Sequence, residues 1–320
     1  MQAAVYYENG GPEVFRFEDV ADPTCHPKGV VIRVAAVSIE GGDLLHRVGA
    51  PLRTHPHVVG YQAAGTIVEV GSSVTDFKVG DRVVTTGADG SHATMRPAAA
   101  SATWHVPDGL DIRLAACVPI PFGTADDCLF EFGRLQKGES VLVQGGGGGV
   151  GLAALQLAKR AGATVYSTAS SDEKLARLRD YGMDVGINYK RDDPVAEIRR
   201  LTDNKGVNLV VDPVGGDTLA QSLKCAGYRG RIITVGNASR DVRQYDIRSL
   251  GSMNQSLTGV FLGAEIATPR ARSMIDGHLR DVATGQLKVL VDREFALKDA
   301  AAAHTYIESR SAVGRVLLIP

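Results

Sequence analysis

Residues 140–151 read SVLVQGGGGGVG, and LAALQLAKRAG follows at 152–162. Glycine gives up more backbone freedom on folding than any other residue, so five in a row, 145–149, imply that something needs the backbone bare. SVLV has the continuous apolar character of a buried strand. VGLAALQLAKRAG carries apolar residues at three- and four-residue spacing, which predicts a helix, and TVYSTA at 164–169 reads as the next strand. Gly146, Gly148 and Gly151 satisfy GxGxxG at this strand-to-helix turn. The early glycines allow a tight turn and close approach of a pyrophosphate; the last lets the helix pack on the strand. The helix start, with Gly149 and Val150, would offer unpaired N–H groups to the phosphates. A flexible linker would not be flanked this closely by apolar runs, so the spacing points to dinucleotide binding.

Outward from this turn the pattern repeats. DEKLARLRDYG is helical, VGINY a strand, DPVAEIRRLTD helical, VNLVVDPVG a strand, DTLAQSLKCAG helical and RIITVG a strand. Strands alternating with helices of this length predict βαβ units and a doubly wound parallel sheet, an α/β fold class. The first third differs: VVIRVAAVSI, AAGTIVEVG and DRVVTTG are strand-like runs bounded by Gly, Pro or Asp, as in a β-rich domain. After the α/β stretch come the helical PRARSMIDGHLRDVATG, then VLVDREFAL, KDAAAAHTYIESR and the strand RVLLIP, which is expected to return to the N-terminal domain.

The 320 residues are 44% hydrophobic, with 35 Lys and Arg against 36 Asp and Glu, enough for two domains and without the basic surplus of a polyanion binder. We therefore expect no nucleic-acid partner. MQAAVYYENGGPEVF lacks the pattern of a secretory signal, and no apolar run reaches the ~18 residues of a membrane span, so a cytoplasmic location is expected. Cys25, Cys117, Cys128 and Cys225 form no CxxC pair and are expected to be reduced. His55 and His57 would share one face of an extended segment, without further residues to complete a metal site.

The second strand bears on the choice of dinucleotide. An NAD site usually has an acidic residue about 20 positions after the glycines to bond the ribose 2′-hydroxyl. Here TVYST is followed by Ala169, Ser170 and Ser171. Asp172 and Glu173 suit the first turn of a helix, where they complement its dipole. Ser170 and Lys174 could instead donate to a 2′-phosphate, which favours NADPH.

FEDV…P, GDLLHRVGAP, VVGYQAAGTIVEVGSSVTDFKVGDRV, the GTA of 123–125, the glycine turn with its flanks, and LKDAAAAHTYIESRSAVGRVLLIP occur in this order. Together they resemble the medium-chain dehydrogenase/reductase superfamily, and within it the zinc-free quinone oxidoreductases that include zeta-crystallin. The resemblance implies a GroES-like catalytic domain from both chain ends, 1–122 and 264–320, around a Rossmann domain, 123–263. It also implies NADPH as cofactor, commonly a homodimer, and hydride transfer to a quinone or other conjugated carbonyl.

Carried over, Lys174, Tyr189 and Arg310 match the residues around the adenosine 2′-phosphate. Thr124, Gly236, Asn237 and Val260, Phe261 and Leu262 match those near the nicotinamide. Glu40 stands where the zinc enzymes have a catalytic cysteine, and Tyr61-Gln62 follow Gly60 where those enzymes have GHE, so no metal is expected. Without that Lewis acid, conjugated acceptors suit the site better than alcohols. Glu40 is either an acid for the product, if burial raises its pKa, or a polar residue bonding its neighbours, the role we favour. Tyr61 is a second catalytic candidate. Leu45 and Phe122 join Glu40, Tyr61 and Phe261 as expected substrate-pocket residues. Asp43 and Arg47, four apart, are expected to pair along one helical turn. The alternatives are a biosynthetic enoyl reductase, or a nucleotide-binding protein with little turnover and a structural or RNA-binding role.

Overall fold

Strand order carries the architecture. In the computed structural model, which describes residues 1–320, the strands are β1 (Gln2–Tyr6), β2 (Arg16–Asp19), β3 (Gly29–Ser38), β4 (His57–Val58), β5 (Gln62–Val70), β6 (Arg82–Thr86), β7 (Met95–Ala99) and β8 (Thr103–His105). They continue as β9 (Ser140–Val143), β10 (Thr164–Ala169), β11 (Val185–Asn188), β12 (Val207–Asp212), β13 (Ala226–Thr234), β14 (Ser256–Gly259), β15 (Val291–Ala296) and β16 (Arg315–Ile319). By internal contacts the chain divides into two units, Met1–Ile120 with Gly263–Pro320, and Pro121–Leu262.

In the second unit the sheet order is β11-β10-β9-β12-β13-β14, and every pairing is parallel. This is the doubly wound dinucleotide-binding order, with its switch point between β9 and β12. Helices cover both faces of such a sheet, so its strands read as apolar runs: Val141, Leu142, Val143, Leu209, Val210 and Val211 are all fully buried. Of the connecting helices Gly149–Arg160, Asp172–Arg179, Pro194–Leu201 and Asp217–Cys225, the second and third start on side-chain caps and the other two follow a glycine. Ser171 Oγ accepts from the Lys174 N–H at 3.3 Å, and Asp193 from the Val195 N–H at 2.8 Å.

The other unit contains two sheets. β2-β1-β4 is small; the larger runs β15-β16-β3-β5-β6-β8, with β7 also on β3. β16 is antiparallel to β3, Leu317 facing Ser38, so the last strand does return to the N-terminal sheet. The core there joins Val30, Ile32 and Ile67 to Leu297, Val316 and Leu318.

Two local expectations are corrected. His55 and His57 do not share a face: His55 is exposed, whereas His57 opens β4 and is buried with its ring 5.1 Å from that of Tyr6. Asp43 and Arg47 do not pair. Asp43 Oδ2 accepts from the Glu40 N–H at 2.8 Å, capping the helix Gly41–Gly49. Arg47 donates instead to Gly10 O at 3.1 Å, His304 Nδ1 at 2.8 Å and Glu308 at 2.5 Å. A distant helix, Ala300–Glu308, thus supplies the partners that the local spacing had assigned to Asp43.

Cys117, Cys128 and Cys225 are buried free thiols, and Cys25 is half-buried. Burial pushes the Cys117 and Cys225 thiols up to about 12, which removes the reactive thiolate near neutral pH. With an aromatic disulfide reagent, the folded protein is expected to expose Cys25 alone, and the unfolded protein all four thiols. Rapid native labelling of any of the other three would contradict this packing.

Candidate active site

The glycine turn closes between β9 and the helix Gly149–Arg160. A Cβ on Gly146 would lie 2.1 Å from Ser167 Oγ, and one on Gly151 would lie 2.7 Å from both Gly145 O and Gly146 Cα. The turn is therefore packed against the Ser167 side chain at Gly146 and backbone to backbone with the helix at Gly151. At Gly148, the residue before the helix, a Cβ would meet nothing closer than Gly145 O at 3.6 Å. That position is open, as an approaching pyrophosphate requires.

A buried polar chain fixes the turn, and the sequence reading missed it. The Gly145 N–H donates to Thr168 Oγ1 at 3.0 Å, and Thr168 donates to Gln144 Oε1 at 2.8 Å. Gln144 Nε2 donates to Ser222 Oγ at 3.2 Å, and Ser222 donates to Asp212 Oδ2 at 2.7 Å. Asp212 Oδ1 holds the Val214 and Gly215 N–H groups, so the C-terminal ends of β9, β10 and β12 are tied together. A polar Gln at the end of the apolar run SVLV was the available signal.

The tips of β10 and β11 lie side by side, Ala169 opposite Asn188, and the Tyr189 N–H donates to Ala169 O at 3.1 Å. Ser170, Lys174 and Tyr189 thus belong to one edge of this unit, with the Tyr189 ring exposed and the Lys190 ammonium 6.0 Å from its centre. Asp172 turns away to Arg191 Nη1 at 2.7 Å and Asn188 Nδ2 at 3.2 Å. Arg191 is shared with Asp192, which accepts from its Nε at 3.0 Å and its Nη2 at 2.9 Å. Lys190 was not singled out by the sequence reading, although it directly follows Tyr189. Arg310 belongs to the other unit, just past the helix Ala300–Glu308, in a left-handed conformation at φ 58°.

In that other unit, Glu40 is buried between β3, β5 and β16. Its Oε1 contacts Arg315 Nη2 and Gln62 Nε2, with Ser38 Oγ at 3.4 Å. Arg315 also donates to Ser38 Oγ at 2.8 Å, and Gln62 Oε1 accepts from the Ile120 N–H at 3.1 Å. Burial pushes the Glu40 carboxyl up to about 7 while the Arg315 guanidinium pulls it back; burial likewise takes Asp43 to about 8. Tyr61 Oη accepts from the Gly42 N–H at 3.2 Å. Burial, then the charges of Asp43 and Glu40, raise the Tyr61 phenol well above its usual value. The phenol therefore keeps its proton and can donate it to another oxygen.

Leu45 is half-buried on the same helix as Gly42. Phe122 and Thr124 are buried in the helix Pro119–Asp126; Val260 and Leu262 are buried, whereas Phe261 is 75% exposed. Gly236 has φ 78°, and Asn237 is held by Ser239 Oγ, which donates to it at 2.7 Å. The candidates thus divide between the units, with Glu40, Leu45, Tyr61 and Arg310 in one and the others in the second.

Residues 26–108 match the family model described as the alcohol dehydrogenase GroES-like domain, and residues 149–276 the one described as zinc-binding dehydrogenase. A quinone oxidoreductase of Pseudomonas aeruginosa is 34% identical, over 100% of this chain and 99% of its own. The chain belongs to the quinone oxidoreductase group of the medium-chain dehydrogenase/reductase superfamily. It is an oxidoreductase of that type. A 2-haloacrylate reductase of a Burkholderia species is 33% identical, over 100% of this chain and 99% of its own. The solved structure of an Escherichia coli quinone oxidoreductase complexed with NADPH superposes with a TM-score of 0.95 at 30% identity, covering 100% of both chains.

One of the two family descriptions names zinc, and the residues here do not fit that ion. A protein zinc site uses three or four Cys, His or carboxylate ligands. No group of three His, Cys, Asp or Glu that could hold a metal is present, and the Glu40 carboxylate is engaged by a guanidinium.

Proposed function

We propose that the protein is an NADPH-dependent, zinc-independent reductase of a quinone or another α,β-unsaturated carbonyl. The carrying observation is the edge formed by β10 and β11: Asp172 is engaged by Arg191 and Asn188, while Lys174 and Tyr189 border the same edge. An edge of this composition suits a 2′-phosphate better than a ribose 2′-hydroxyl. The glycine turn fits the pyrophosphate by its open Gly148 and closed Gly146 and Gly151. Relatives named for quinone and haloacrylate reduction, and a neighbour complexed with NADPH, support the same reading.

When bound, NADPH supplies the hydride. Lys174, Tyr189 and Arg310 are assigned to its 2′-phosphate, with Thr124, Gly236, Asn237, Val260, Phe261 and Leu262 at the nicotinamide end. Tyr61 is assigned the hydrogen bond to the acceptor oxygen, where negative charge develops during reduction. Glu40 is given a positioning role, because its carboxylate is tied to Arg315 and Gln62. The same reading includes a homodimer through the edge strand β14, which has a strand neighbour on one side only.

The test is oxidation of NADPH and of NADH by metal-stripped protein against quinones, enones and enoyl thioesters. Turnover with NADPH and one acceptor class is expected; tight NADPH binding with no turnover on any of them would refute the reductase. By fluorescence titration, Lys174→Ala is expected to weaken NADPH by about tenfold or more, the scale of a charge-assisted hydrogen bond, and NADH little. Equal losses for both would remove Lys174 from the 2′-phosphate site.

A further inference from the structure

Residues 40–43 read EGGD, and both glycines, poor helix formers, fall in the first turn of the helix Gly41–Gly49. The two are not equivalent. A Cβ on Gly41 would meet nothing within 4 Å, whereas one on Gly42 would overlap Tyr61 Oη and lie 2.8 Å from Tyr61 Cε1. The Tyr61 ring therefore rests on the bare backbone of Gly42, whose N–H donates to the phenol oxygen at 3.2 Å. His46, one turn further along the same helix, brings its ring to 6.2 Å from that of Tyr61, at 56°.

The segment that carries Tyr61 is fixed as well. Gly60 has φ 104°, a conformation that favours glycine, and a Cβ there would overlap Ser91 Oγ and His92 Nδ1. Gly60 O accepts from the Ser91 N–H at 2.8 Å and Tyr61 O from the Gly87 N–H at 2.9 Å, so the backbone is bonded on both sides of the Tyr61 Cα. Tyr61 itself is half-buried, and its hydroxyl accepts from Gly42 but donates to no group of the fold.

We infer that Gly42 is a positioning residue: it seats the Tyr61 phenol with the hydroxyl proton uncommitted, ready for the oxygen of a bound acceptor. This role rests on the reductase reading, and Gly42 acts in it only through Tyr61. The Gly42 N–H occupies one lone pair of the phenol oxygen and leaves the O–H free to rotate toward a ligand. A donor already in place when charge develops on the acceptor spends nothing on reorganisation, which is why the seat matters to rate.

Turnover of NADPH with 1,4-benzoquinone and with 2-cyclohexenone, together with NMR of the full chain carrying carbon-13 at the tyrosine Cζ, tests the seat. Tyr61→Phe is expected to lower kcat by about 100-fold, the scale for loss of one such donor, and Gly42→Ala by about tenfold, with the KM for NADPH unchanged in both. In the double variant kcat should be no lower than in Tyr61→Phe, because Gly42 acts through the hydroxyl alone. Alanine is the better helix former, so Gly42→Ala retains the helix. The Tyr61 Cζ resonance, identified by its absence from Tyr61→Phe, should move in Gly42→Ala and stay in place in Gly41→Ala. An unchanged kcat in Gly42→Ala, losses that multiply in the double variant, or an unmoved resonance would overturn the assignment. A moved resonance with no turnover of either acceptor by the wild-type protein would refute the reductase reading and leave the seat standing; wild-type turnover with an unmoved resonance would do the reverse.

Discussion

Replacing Arg315 by Met is expected to destabilise the protein by about 3–5 kcal/mol at pH 8, the cost of leaving one partner of a buried ion pair without the other. Arg315 is the cation in contact with Glu40, and both side chains are buried. The loss should shrink toward pH 5. Burial already holds the Glu40 carboxyl at about 7, above its ordinary 4.5, so the folded state keeps a proton that the unfolded chain releases between those values. Such a group contributes stability that is complete below the unfolded value and is lost as pH rises through the folded one. Without Arg315 the folded value climbs further, and the penalty extends to higher pH. His92 and His304 work with the opposite sign: burial lowers His92 to about 3 and His304 well below its usual value, so they cost stability as pH falls below 6.5. The difference between variant and wild type cancels that background. Urea unfolding at pH 5 and pH 8 measures the effect, and adding Glu40→Gln to Arg315→Met should restore most of it. A loss that is independent of pH and unrelieved by Glu40→Gln would show that the ion pair is not its cause. Glu40→Gln alone should leave the pH profile of turnover unchanged; loss of its alkaline limb would make Glu40 a proton donor instead.

The two glycines of the turn should fail in different ways. Gly148→Ala places its Cβ 3.6 Å from the nearest atom, and Gly148 has φ −80° and ψ 171°, which any residue adopts. The melting temperature should therefore be unchanged, while NADPH binding weakens by about 100-fold, close to 2.7 kcal/mol, as the methyl group meets the pyrophosphate. Gly151→Ala instead sets its Cβ 2.7 Å from Gly145 O and Gly146 Cα, backbone atoms held by the Gln144–Thr168 bonds. The helix must lift from the strand, with a cost of about 1–3 kcal/mol for overpacking. Thermal unfolding and fluorescence titration on both variants separate the two effects. Normal NADPH affinity in Gly148→Ala would remove the pyrophosphate from this turn.

The alternation of strands and helices between β9 and β13, the turn at Gly146–Gly151 and the lack of a carboxylate at Ala169–Ser171 were legible along the chain. Each of these depends on residues within a few positions of one another, through side-chain periodicity, turn chemistry and helix capping. The same local rules misassigned Asp43, because spacing along a helix is silent about what packs against it. The tertiary structure decided that Asp43 caps its own helix while Arg47 reaches His304 and Glu308. It also decided that Glu40 meets an arginine 275 residues away, that Gln144 anchors the glycine turn, and that His57 turns inward beside Tyr6. Burial and ion pairing come from segments brought together by the fold. A buried group takes whatever partner the packing presents, at whatever distance along the chain.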